Sequence, residues 1–232
     1  MTRVLAFLNS SIGRKVVMAV TGAMLLAFVL VHMLGNLQVY LGPTKLDEYG
    51  AALRKFPPVL WGARLALLVA AGLHVWGALV TTLESWRARP VSYKGWRPAG
   101  NASTLSSRTM RWTGVIILAF VIYHLLHLTL GLVHPHFVEG AVHNNFVRGF
   151  QVAGASLAYI AAMIALGLHM YHGAWSLFQT LGISHPRYNR LRLGFAAVVA
   201  VVVVLVNVSF PVSVLTGIVK EAPQAVAAWL GR

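Results

Sequence analysis

Apolar positions fall into five long blocks separated by short polar stretches. The blocks cover roughly residues 15–35, 61–83, 111–133, 150–178 and 194–219. Each is long enough to cross a hydrocarbon core of about 30 Å as a helix, and we label them spans I to V. Between I and II, Gly42-Pro43 and Pro57-Pro58 are breaker signals. They bracket residues 44–56, which read as a short interfacial helix. Residues 87–108 are basic and rich in Pro, Gly and Ser, and predict a loop. Residues 134–148, with His134, His136, Glu139 and His143, and residues 182–192, with His185, also read as loops, and these four histidines as surface residues. Span I follows Arg14 and Lys15. Its apolar run of about 19 residues exceeds a signal-peptide core and no small-x-small site follows, so it reads as a retained helix. No short repeat stands out.

Composition agrees with the blocks. The chain has 232 residues, of which 58% are hydrophobic and 10% charged, far from the soluble norm. It has no cysteine, so covalent haem attachment and thiolate-held iron–sulfur clusters are excluded. The formal charge of +14 belongs to topology rather than to nucleic-acid binding. With the N-terminus inside, roughly two-thirds of the Lys and Arg residues lie on the inner side, as the positive-inside rule requires. Lys45, Arg54, Lys55, Arg64, Arg148, Lys220 and Arg232 fall outside, with Asp47, Glu48, Glu139 and Glu221. The C-terminus is then outside.

Four of the five blocks carry histidine: His32 in I, His74 in II, His124 and His127 in III, His169 and His172 in IV. An intramembrane histidine is costly unless it meets a cavity, a partner or a bound group, and neutral imidazole is a common axial ligand of haem iron. Counted along the helical rise from the outer ends, His32 and His124 lie at about 9 and 15 Å, and His74 and His169 at about 20 and 29 Å. They form an outer and an inner layer, each drawn from two helices running in the same direction. Spacing alone leaves open which histidine of His124/His127 and of His169/His172 is the ligand, because i and i+3 share a face. The predicted fold is a single all-α integral membrane domain. Spans I–IV form an antiparallel bundle around two haems, and span V, with its Val-rich stretch, is peripheral.

The stretches SSIGRKVVMAVTG and HMLGNL in span I, LHVWG in II, RWTG with His124 ten residues after Gly114 in III, and HMYHGAWSLFQTLG in IV carry a resemblance. Over residues 10–192 the chain resembles the single-chain, five-helix cytochrome b membrane anchor of succinate dehydrogenases and fumarate reductases. The resemblance implies two haem b groups. Their axial ligands would be His74 and His169 for the inner haem and His32 and His124 for the outer one. His127 and His172 would be supporting groups or alternative ligands, and Tyr123 and Tyr171 supporting groups. It further implies a flavoprotein and an iron–sulfur subunit docked on the cytoplasmic face, and exchange of electrons with a membrane quinone, menaquinone being favoured. The location would be the cytoplasmic membrane. Glu48 (or Asp47), Arg14, Lys15 and Arg111 are candidates for contacts to quinone or propionates. Succinate chemistry would occur on a flavin in another subunit.

Two other readings compete. The chain could be the cytochrome b anchor of a formate dehydrogenase or hydrogenase, or a histidine-lined transporter or proton channel. The second lacks a discontinuous-helix signature. An intramembrane zinc protease is excluded, since no H-E-x-x-H motif occurs.

Overall fold

A computed structural model describes residues 3–8, 10–88 and 105–223; most of the expected 87–108 loop, with Arg89, Lys94 and Arg97, lies outside them. Among the described residues every regular element is helical. A short α1 (Arg3–Leu8) precedes α2 (Ser11–Asn36), which a 3-10 turn extends to Leu41. Then come α3 (Pro43–Arg54), α4 (Pro57–Arg87) and α5 (Leu105–His124), the last continued by a π turn over Leu125–Thr129. Next are α6 (Val142–Gln151), α7 (Ala153–Thr180) and α8 (Asn189–Leu215). The helices α2, α4, α5, α7 and α8 are the five, among the described residues, that are long and apolar enough to cross a membrane.

Local chemistry sets the ends. Ser10 caps α2, its hydroxyl accepting from the Gly13 N–H at 3.0 Å. Gly42 turns the chain with φ +106°, which a side chain would resist. Pro43 and Pro57 open α3 and α4, at the helix start where proline's missing N–H is harmless. The expected interfacial helix is α3. Span IV begins later than its apolar pattern suggests. Val152 is extended (φ −76°, ψ 107°) and splits the stretch into α6 and α7. The buried Ser156 hydroxyl donates to the Phe150 carbonyl at 2.6 Å across the break. A polar bond, invisible to a hydropathy count, ends one helix and starts the next.

The central helix is α7, which packs against α8, α5 and α2, while α4 packs on α2. In its most apolar stretch 44% of residues are buried, against 11% in α4 and in α5. The latter two present Leu65, Leu68, Val69, Val115, Ile116 and Ile122 outward. Lipid accepts such faces without penalty, so packing here relies on close backbone approach. Gly77 of α4 is one such place: a Cβ there would lie 2.6 Å from Met18 Cγ of α2.

At the end of the bundle away from the N-terminus, α3 and α6 form a cap. The Asp47 carboxylate of α3 accepts the His143 backbone N–H in the first turn of α6 at 2.8 Å. Two adjacent asparagines of α6 clasp what lies beside it. Asn145 exchanges two bonds with the Val138 backbone, at 2.6 and 2.9 Å. Asn144 exchanges two with Ala222, at 2.9 and 3.3 Å. His134 donates from Nε2 to the Asn145 carbonyl at 2.8 Å, because its Nδ1 accepts the His136 N–H. His134 and His143 are therefore buried, at 8% and 2% exposure, and not surface groups as their loop positions suggest. The amphipathic helix around them was hidden by its polar asparagines. His136 and His185 are exposed as expected.

Candidate functional site: two facing histidine pairs

Two pairs of imidazoles meet between helices that do not pack closely on each other. His74 of α4 and His169 of α7 have ring centres 6.3 Å apart; we call them the inner pair. His32 of α2 and His124 of α5, the outer pair, are 5.8 Å apart. The observed helix starts bring the depths of the inner pair together. Measured from Pro57 and from Ala153, His74 and His169 lie at about 26 and 24 Å.

Each inner imidazole is held by a threonine on a different helix. The Thr21 hydroxyl donates to the Val17 carbonyl at 2.7 Å, so toward His74 Nδ1, 3.4 Å away, its oxygen can only accept. The Met18 carbonyl accepts from the same nitrogen at 3.1 Å. The Thr113 hydroxyl donates to the Thr109 carbonyl at 3.0 Å and accepts from His169 Nδ1 at 3.2 Å. Both rings thus carry hydrogen on Nδ1, which leaves Nε2 bare. Two imidazoles on opposite sides of one iron, at metal–nitrogen distances of about 2 Å, have ring centres about 6 Å apart. Bare Nε2 atoms at that spacing fit a haem between them. Glycines stand beside the rings: a Cβ on Gly22 would be 3.1 Å from His74 Cε1, and one on Gly114 3.6 Å from His169 Cε1.

These details recur with the same spacing within each of two pairs of helices. Met18, Thr21, Gly22, Phe28 and His32 of α2 recur as Met110, Thr113, Gly114, Phe120 and His124 of α5. The phenylalanine packs on its histidine in both, with ring centres 5.3 and 5.8 Å apart. Gly72-Leu73-His74 of α4 recurs as Gly167-Leu168-His169 of α7. The helix pairs α2–α4 and α5–α7 are therefore two versions of one unit, and each histidine pair takes one equivalent ring from each. The repeat is too sparse for a hydropathy scan, yet the Thr-Gly-x9-His spacing was there to be read.

The remaining candidates separate. His127 is 1% exposed, with Tyr123 on one face (5.3 Å) and His134 on the other (5.1 Å). His172 does not join a pair. It lies edge-on to Trp175 at 5.9 Å, and its Nδ1 and the Trp175 Nε1 are buried without a hydrogen bond. Arg14 pairs with Glu84 at 2.6 Å, and Arg111 lies over the Trp86 ring at 5.4 Å and donates to Ser85. Lys15 lines a shallow cavity of about 300 Å³ with Ile12, Gln179 and Thr180. Glu48 is exposed and pairs with Lys45 at 3.2 Å, while its neighbour Asp47 is committed to α6. Tyr171 takes no part in the contacts of either pair. Tyr159 was overlooked: its hydroxyl lies 3.2 Å from His124 Nδ1 and 3.1 Å from His127 Nδ1.

Five helices long and apolar enough to cross a membrane, with two pairs of facing imidazoles between them, have the form of a multi-pass, histidine-lined membrane subunit. Residues 87–208 match the succinate dehydrogenase/fumarate reductase transmembrane subunit family, and the chain belongs to that family. The match includes α5, α6, α7 and most of α8; the internal repeat relates α2 and α4 to it. Neither the curated proteins nor the solved structures contain a match.

Proposed function

We propose that the chain is the di-haem cytochrome b anchor of a succinate:quinone oxidoreductase. It would carry electrons between an iron–sulfur subunit, docked with a flavoprotein on the cytoplasmic face, and a membrane quinone. Family membership favours this over an anchor for formate or hydrogen oxidation. The observation that carries the haem reading is the inner pair, with both Nε2 atoms freed by threonines and ring centres 6.3 Å apart. His74 and His169 would hold the inner haem, His32 and His124 the outer. When bound, the haems supply one-electron transfer. The chain's own part is to fix the imidazoles, exclude water with its lipid-facing helices, and offer quinone and propionates their contacts. Arg14, Lys15 and Arg111 at the N-terminal end, and Glu48 at the other, are the candidates for those contacts. The excess of basic residues at the N-terminal end supports an inside N-terminus and an outside C-terminus.

The test is His74→Leu and His169→Leu, each in the intact complex. Either variant is expected to remove one of two haem b signals and to uncouple succinate oxidation from quinone. Full haem content in both variants would refute the assignment.

A further inference from the structure

Tyr159 touches two histidines that share one face of the helix, and its single proton makes them unequal. The ring is 6% exposed, and its hydroxyl is within hydrogen-bonding distance of Nδ1 of both His124 and His127. A phenol has one hydrogen to donate and lone pairs to accept. A buried hydroxyl that did not donate would leave a polar group unsatisfied. One Nδ1 must therefore be bare, to accept from the phenol, and the other must carry hydrogen, to donate to it. The two imidazoles are held in opposite tautomers.

Their surroundings decide which is which. His124 faces His32 across the interhelical gap. The far edge of His127 is walled off. Gly149 of α6 lies against it so closely that a Cβ there would be 2.9 Å from Cε1 and 3.2 Å from Nε2. Tyr123 and His134 cover its faces. Of the two rings, His124 is the one that faces an imidazole of another helix, while His127 Nε2 faces the α6 backbone. The π turn over Leu125–Thr129, which begins directly after His124, carries His127 into this enclosure.

Resting on the di-haem reading above, we propose that Tyr159 is the positioning residue of the outer haem. It accepts hydrogen from His124 Nδ1, donates its own to His127 Nδ1, and so assigns His124 as ligand and His127 as support. An acceptor on Nδ1 makes a ligating imidazole more electron-rich and favours ferric iron. Removing it should raise the outer midpoint potential and leave the inner one, held by Thr21 and Thr113, unchanged.

The test is a redox titration of the purified complex with haem counted per chain, for wild type, Tyr159→Phe and His127→Leu. Tyr159→Phe is expected to retain both haems. At a fixed potential it should shift the reduced-to-oxidised ratio of the outer haem about threefold to tenfold toward reduced, or about 30–60 mV at 59 mV per tenfold change. His127→Leu is expected to retain both haems and to shift the outer haem in the same direction by less, since Tyr159 still accepts from His124. An unmoved outer potential in Tyr159→Phe, or loss of the outer haem in His127→Leu, would overturn the proposal while the di-haem reading stands. If Tyr159→Phe fails to assemble, His127→Leu decides alone. A wild-type complex without an outer haem would overturn both readings.

Discussion

Replacing Thr113 by valine removes one oxygen from the site and nothing of comparable size. Thr113 is 4% exposed, and its hydroxyl accepts from His169 Nδ1 at 3.2 Å while donating back to its own helix. The helix carbonyls it touches have their own partners, so the loss falls on the imidazole. A net hydrogen bond of about 1 kcal/mol corresponds to about 40 mV for one electron. Because the lost acceptor favours ferric iron, the inner haem should become easier to reduce by about that amount. Thr21→Val, its counterpart in the repeat, should do less. There the hydroxyl is 3.4 Å from His74 Nδ1, and the Met18 carbonyl at 3.1 Å remains as the better acceptor. The assay is an optical redox titration of each variant, with the outer haem as internal control. If Thr21→Val moved the inner potential as far as Thr113→Val, or the outer haem moved instead, the assignment of these threonines would fail.

Other outcomes follow from the packing. Asp47→Ala removes the acceptor for the first turn of α6 and should cost about 1–2 kcal/mol, measured as a lower thermal midpoint in detergent. Glu48→Gln, on the exposed face beside it, should change stability by less than about 0.5 kcal/mol and retain both haems. A drop in quinone turnover in that variant would then report a quinone contact and not misfolding. Gly77→Ala places a methyl group 2.6 Å from Met18 Cγ. It should cost about 1–3 kcal/mol through overpacking between α2 and α4, seen in the same melt.

The spans were legible because each is a long apolar run whose histidines stand out against it. The pairing of the four rings was also within reach, since depth along a helix follows from counting. The Val152 break was not. It rests on the Ser156–Phe150 bond, which no periodicity encodes. The burial of His134 and His143 was missed for a related reason: α6 is rich in polar groups, and its backbone meets α3 and His134 while its asparagine side chains meet Val138 and Ala222. Tyr159 went unnoticed because it is one aromatic residue in an apolar span, and only the fold brings it against α5. Asp47 and Glu48 are adjacent and chemically alike. Contact across 96 residues separates the buried cap from the exposed acid.

The most direct measurement is the haem count and reductive titration of the purified complex. The di-haem proposal predicts two haem b groups per copy of this chain, reduced in two separate steps. A colourless complex, or a single haem that survives replacement of both His74 and His169, would contradict it.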